Sequence, residues 1–214
     1  MYSLKQLIAE SRYKAQESGV DKEEAENQVL KCEIKKLGNE NLYEYFKFVE
    51  HLATSLNKSL TLSTDIIMTS LGQCDFSRNT IQISLKEEYD SEAKLKSVIV
   101  HELGEAEYIL RNYPICRSEF VDEAPRFTEL LSHYYIEHTL KKKNLYHLEA
   151  VFKDDQVKKS LKQQGIIYEE YKKDCRNEWK VILKAVWILI SFNHFVVKDK
   201  IPGYAEFSDI IDEI

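Results

Sequence analysis

The chain of 214 residues has only three prolines and six glycines. It contains no internal repeat, no low-complexity segment and no stretch rich in glycine, serine and proline. Linkers between independent domains have that last composition. The sequence therefore predicts one compact unit, long enough to bury a substantial core.

The four cysteines lie far apart, at positions 32, 74, 116 and 175. No pair has the Cys-x-x-Cys spacing of a zinc ribbon or a dithiol redox site, which disfavours both classes. The segment Met1–Tyr13 does not resemble a signal sequence. We therefore expect reduced thiols and a cytoplasmic protein.

The chain lacks both a basic excess and a long uninterrupted apolar run. Its net charge is −6, so nucleic acid is not an expected partner. The basic run Lys141–Lys143 is typical of a solvated helix end. The most apolar stretch, 181–197, is interrupted by Lys184, Asn193 and His194. Its unbroken part is too short for a bilayer, so we expect a buried helix and no membrane contact.

Helical signals dominate the first third of the sequence. Asp21 followed by Glu24 resembles a capping box, and Gly38 is a natural helix stop. A further helix is predicted over about 41–55. Segments 60–69 and 80–85 are then rich in β-branched residues and flank a polar turn region, 72–79. They predict a small antiparallel sheet.

Two longer helices are expected after the sheet. Ser91 is a candidate N-cap for a helix over about 92–111, and a second should run over about 122–142. The fold class is therefore α+β and mostly helical, with a small sheet beside two central helices. The segments are 1–57 (helical), 58–143 (the core) and 144–214 (helical).

The sequence His101-Glu102-Leu103-Gly104-Glu105 lies in the first of these two helices. Residues four apart lie on the same helix face, so His101 and Glu105 can point at one object. Glu102 falls near the centre of an apolar arc formed by Leu95, Val98, Ile99, Ala106, Ile109 and Leu110. A carboxylate buried there without a partner would cost several kcal/mol or become neutral.

A divalent cation would resolve this misfit. His101 and Glu105 would be metal ligands, and Glu102 would act as general base on an attacking water molecule. The layout is close to the zinc-peptidase pattern H-E-x-x-H, with Glu105 at the second ligand position. The alternative is that these are ordinary charges at the edge of a helix face.

A metal site needs a third protein ligand, and the following helix offers candidates. Glu123, in its first turn beside the predicted buried arc, is our choice. Glu129, His133 and Glu137 form a line with spacing of four that could also bind metal, although it lies mostly off that arc. His138 falls within the arc and is expected to be a hydrogen-bonded core residue.

Strand 80–85, the H-E-L-G-E helix and the segment E-A-P-R-F-T-E-L-L (123–131) together resemble the ImmA/IrrE-type metallopeptidases. In that family a strand is followed by H-E-L-G-H and then by a segment like E-A-N-x-F-A-x-x-L-L. The resemblance covers 79–138. It implies a zincin-like core, zinc ligands at His101 and Glu123, and a general base at Glu102. It also implies protein substrates, often DNA-binding repressors of stress or mobile-element circuits.

Glu105 is the departure from the family pattern. A ligand set of His101, Glu105 and Glu123 places two anions on a dication, which weakens its polarising power. Oxygen ligands also shift preference from Zn²⁺ towards harder ions such as Mn²⁺. Three outcomes stay open: a slower zinc hydrolase, an enzyme that uses another metal, and an inactive relative without metal that works as a binding or regulatory protein.

Overall fold

The computed structural model describes residues 1–65, 68, 70–113 and 124–149, with side chains of the last range described at 132, 133 and 135–149. These residues confirm an α+β fold that is mostly helical. The elements in chain order are β1 (Tyr2–Ser3), α1 (Lys5–Ser18), α2 (Lys22–Lys36), α3 (Glu40–Ser55), β2 (Ser59–Thr64), β3 (Gly72–Phe76), β4 (Thr80–Leu85), β5 (Glu88–Tyr89), α4 (Glu92–Leu110) and α5 (Ala124–Lys142).

Local capping signals fix both ends of α2, as predicted, and also the start of α3. The Asp21 carboxylate accepts hydrogen bonds from the backbone N–H groups of Glu23 and Glu24, both at 2.9 Å. Gly38 follows α2 with a φ of +67°, a left-handed conformation that glycine adopts without strain. The Asn39 side chain then caps α3 by accepting from Leu42 N at 2.9 Å.

The two strands predicted to pair do so, but in parallel. The sheet order is β2-β4-β3, with Leu60 opposite Ile81 in the parallel pair. The antiparallel neighbour of β4 is β3, which lies in the segment expected to be a polar turn. A short hairpin turn joins β3 to β4, so β3 takes one side of β4 and leaves the other side to β2.

Side chains of α2 close the outer edge of β2. The backbone N–H of Leu62 donates to Asn27 Oδ1 at 2.9 Å, and that of Thr64 donates to Glu26 Oε1 at 2.5 Å. Glu26 is buried and also accepts from Arg12 Nε at 2.9 Å. Within the described chain, β3 is therefore the sheet edge that no strand or capping side chain is seen to cover on its outer side.

Helix α4 is the centre of the fold. It begins at Glu92 as predicted, where Ser91 Oγ accepts from Lys94 N at 3.1 Å. Fourteen of its nineteen residues are buried, which means that neighbours surround it on every side and not only along the expected apolar arc. The buried Glu107 on α4 accepts from Tyr45 of α3 at 2.9 Å and from Arg111 Nε at 2.8 Å.

Helix α5 lies very close to α4 at Gly104. A Cβ atom added at Gly104 would be 2.8 Å from Cγ1 of Ile136, so only glycine allows this approach. The described buried residues of α5 are Ser132, Ile136, Thr139 and Leu140, and His138 is exposed. The expectation that His138 belongs to the core is wrong, because the buried face is rotated relative to the predicted one.

The chain divides into two compact units, residues 1–114 with 135–152 and residues 115–134 with 153–214. The first contains β1 to α4 and the end of α5, and the described part of the second is 124–134. The segment boundaries predicted at 57 and 143 stay predictions. Among helices in the described ranges, none has the length and apolar character needed to cross a bilayer. The stretch 181–197 lies outside those ranges.

Candidate metal centre

His101 and Glu105 face each other one turn apart on α4, as predicted. The distance from His101 Nε2 to Glu105 Oε1 is 3.6 Å, which is too long for a hydrogen bond. Two ligand atoms that each lie about 2.1 Å from a tetrahedral ion are about 3.4 Å apart. The observed spacing therefore matches two atoms that share one cation. His101 is buried, and the Glu105 side chain is 29% exposed.

Glu149 holds the other side of the His101 ring. Its Oε1 lies 3.0 Å from His101 Nδ1, and the Glu149 side chain is only 1% exposed. An ionised carboxylate can only accept, so Nδ1 donates and Nε2 is directed towards Glu105. A carboxylate behind a metal-binding histidine fixes the ring and raises its basicity in this way. The second oxygen of Glu149, Oε2, is buried without a hydrogen-bond partner.

This arrangement sets the protonation of His101 in the metal-free protein. Burial alone would lower the pKa of His101, but the charge of Glu149 and the contacts with Glu105 raise it well above its ordinary value. His101, placed between two carboxylates, therefore holds its second ring proton more tightly than a free histidine does. A cation that binds at Nε2 must displace this proton.

Glu102 is buried, as the sequence predicted, with 3% of its surface exposed. Burial raises the pKa of Glu102 to about 8. The His101 charge opposes this shift, and the carboxylates of Glu105, Glu149 and Asp75 add to it. Three of these four charged groups from the described residues are thus anions, and the fourth is a histidine. A buried site with this balance favours a bound cation.

Cys74 on β3 lies near the same carboxylates, but its chemistry is different. Burial raises the pKa of the Cys74 thiol well above its ordinary value, and the charges of Glu105 and Glu102 raise it further. The nucleophilic form of cysteine is the thiolate. The site is therefore unsuited to a cysteine-nucleophile mechanism, although the thiol lies on the sheet face directed at α4.

The third candidate ligand atom in this group belongs to His133 on α5. His101, Glu105 and His133 each offer one ligand atom, and these atoms lie within 4.8 Å of one another. His133 belongs to the line of residues at 129, 133 and 137 that the sequence analysis kept as an alternative. The rotated buried face of α5 explains why this line does not lie in solvent: His133 and Glu137 are both half-buried.

The preferred third ligand, Glu123, lies outside the described residues. Sequence reasoning missed Glu149, which contacts His101 across 48 positions of sequence. The feature that identified Glu102 in the sequence, an acidic residue among apolar ones, also applies to Glu149, which has apolar neighbours such as Leu148 and Val151. His101, Glu105 and His133 form a group that can hold a metal ion, whose identity the donor atoms alone do not fix.

Comparison of the chain with family models, with curated proteins and with solved structures finds no significant match. The resemblance to the ImmA/IrrE-type metallopeptidases therefore rests on the motif residues alone.

Proposed function

We propose that this protein is a metal-dependent hydrolase of peptide or protein substrates that acts in the cytoplasm. The observation that carries the proposal is the buried Glu102 carboxylate beside a pair of facing ligand side chains, His101 and Glu105. A carboxylate in that place costs stability without a cation, and it is suited to proton transfer with one.

The ligand set supports catalysis better than the sequence alone indicated. With His133 in place of Glu123, the three ligands are two imidazoles and one carboxylate. Catalytic zinc sites use this His₂Glu set, which leaves the ion a net positive charge. In the pattern H-E-x-x-H, the second ligand on the helix is a histidine and the ligand from elsewhere in the chain is a glutamate. Here Glu105 would take the helix position and His133 the distant one. Zn²⁺ is thus our first choice of metal, with Mn²⁺ as the alternative.

Each residue has a distinct task in this proposal. A cation held by His101, Glu105 and His133 would polarise the scissile carbonyl and acidify the attacking water. Glu102 accepts the proton of that water and delivers it to the leaving amine. The positive charge also lowers the pKa of Glu102 from its value in the metal-free protein, so that Glu102 is ionised and able to act as base. Glu149 keeps His101 Nε2 directed at the site.

The substrate class follows from the position of β3. Gly72, its first residue, lies directly against Glu102, where an added Cβ would be 2.6 Å from Oε1. Among the described strands β3 lies at the edge of the sheet, and an extended peptide can pair with such an edge through backbone hydrogen bonds. A peptide paired there would have its backbone next to the proposed base. The motif resemblance suggests a DNA-binding repressor as the natural substrate or partner.

Zinc titration and peptide hydrolysis of three variants test the proposal. His133→Ala should lower zinc affinity by more than the roughly 100-fold that loss of an outer-sphere partner costs. Glu123→Ala should have little effect, and the exposed His138→Ala is the matched control on the same helix. Glu102→Gln should retain zinc and lose about 100-fold to 10,000-fold in rate. Hydrolysis that survives both chelator and Glu102→Gln would overturn the proposal.

A non-catalytic binding protein is the second candidate, and one observation favours it. In the metal-free protein the His101 imidazolium lies between Glu105 and Glu149, so this part of the site is charge-paired without an ion. Such a protein would fold stably in chelator, bind no zinc and hydrolyse no peptide. Tight stoichiometric zinc binding together with peptide hydrolysis by the natural sequence would exclude this alternative.

A further inference from the structure

Position 72 has no room for a side chain. An ideal Cβ built on Gly72 would lie 2.6 Å from Oε1 of Glu102, 2.9 Å from Cγ of Glu102 and 2.6 Å from Cγ1 of Val98. All three distances are below those that real Cβ atoms tolerate. The space that a methyl group would fill is thus occupied by the Glu102 carboxylate and by one helix residue beneath it.

Apart from the Glu102 carboxylate, the surroundings of Gly72 have little freedom to move. Val98 is fully buried on α4, and a β-branched residue in a helix has one strongly preferred rotamer. The β3 backbone is held on its other side as well. The Tyr89 hydroxyl donates to the carbonyl oxygen of Leu71 and accepts from Lys86 N, both at 2.9 Å. Gly72 itself lies opposite Leu85 in the β3–β4 register.

We propose that Gly72 is a positioning residue for Glu102: its bare backbone forms the wall against which the carboxylate is set, and the buried Tyr89 hydroxyl holds that wall in place. This inference rests on the proposed hydrolase function. It adds a requirement that the ligand set does not contain, because the atoms nearest to an added Cβ at Gly72 belong to the proposed base, Glu102, and to Val98.

A methyl group at position 72 must displace the most mobile of the atoms it meets, which is the Glu102 carboxylate. Val98 and the β3 backbone are fixed, whereas the terminal torsions of a glutamate side chain are free to rotate. His101 and Glu105 project from other positions of α4, so the ligand atoms stay where they are. The expected defect is therefore in the rate of the chemical step and not in metal binding.

The test compares Gly72→Ala with the natural protein in zinc affinity and in peptide hydrolysis. We expect kcat to fall by about 100-fold, as for a catalytic group misplaced by about 1 Å, with zinc affinity and KM within threefold of the natural values. Gly19→Ala is the matched control. It introduces a methyl at a left-handed glycine, φ +69°, with nothing within 4 Å, and should leave kcat unchanged.

Each further outcome has a defined meaning. Unchanged kcat in Gly72→Ala, with an active natural protein, overturns the positioning role alone. A parallel fall in zinc affinity and kcat also overturns it, since the effect is then general distortion. Absence of hydrolysis by the zinc-loaded natural protein overturns the proposed function as well. If Gly72→Ala does not fold, Gly72→Ala/Val98→Ala removes the Cγ1 contact and is compared with Val98→Ala under the same criteria.

Discussion

Replacing Glu102 by glutamine should stabilise the metal-free protein, and the gain should increase with pH. Burial raises the pKa of Glu102 from 4.5 to about 8. Below pH 4.5 the carboxyl group is protonated in both the folded and the unfolded chain, so it contributes no pH-dependent difference. Above pH 4.5 the unfolded chain ionises first, which favours unfolding until the pH passes the folded-state value. Glutamine has no such proton to lose.

The size of the effect follows from the shift in pKa. Each pH unit between the unfolded and the folded pKa is worth about 1.4 kcal/mol. Between pH 5 and pH 7, integration of the titration gives a growth of about 2 kcal/mol in the stability advantage of Glu102→Gln over the natural protein. No discount for solvent screening applies, since only 3% of Glu102 is exposed.

Urea denaturation in the presence of chelator, at pH 5, 6 and 7, measures this difference. Glu88→Gln controls for the removal of one carboxylate, because Glu88 is exposed on β5. Saturating zinc should shrink the advantage of Glu102→Gln, since a nearby cation stabilises the ionised carboxylate. A difference between Glu102→Gln and natural protein that stays constant from pH 5 to pH 7 would refute the reasoning, and with it the case for a cation beside Glu102.

Three further predictions concern the ligands. Zinc affinity should rise about tenfold per pH unit near neutrality, because the pKa of His101 is raised and its proton must leave when zinc binds. Calorimetry in buffers of different ionisation enthalpy should detect about one proton released per zinc ion bound. Glu149→Gln should weaken zinc binding about 10-fold to 100-fold through loss of its hold on His101, and unchanged affinity in the same titration would contradict this role. His133→Glu should weaken zinc binding, and Glu105→His/His133→Glu should restore it, because the exchange preserves the His₂Glu set; unchanged affinity in His133→Glu would show that His133 is not a ligand.

Local signals predicted most of the fold correctly. Helices α2 and α4 begin where Asp21 and Ser91 cap them, because a cap depends on residues only two or three positions away. The parallel orientation of β2 and β4 was beyond local reasoning. The side chains that bond the far edge of β2, Asn27 and Glu26, come from α2, well before the strands in sequence. Nothing in the strand sequences themselves distinguishes parallel from antiparallel pairing.

The residues of the candidate site also fall into those that local sequence spacing could predict and those that it could not. His101, Glu102 and Glu105 could be grouped from sequence because helical spacing alone brings them together. The contact of Glu149 with His101 joins distant elements, so spacing could not reveal it. Whether His133 faces His101 and Glu105 depends on how α5 is rotated about its axis, which the sequence did not predict correctly. A shift of one residue turns a helix face by about 100°, and that is enough to misplace His138 in the core.

Because the outer edge of β2 is closed, the two edges of the sheet differ in their ability to pair with a further strand. Asn27 and Glu26 occupy the donors at Leu62 and Thr64, so an incoming chain meets side chains where it would need free amides. In the described part of the chain, a further strand can therefore be added only beside β3, whose first residue, Gly72, lies against Glu102. Loss of those two α2 side chains would give a second, unproductive surface for strand pairing, and self-association would then compete with capture of a peptide at the proposed site.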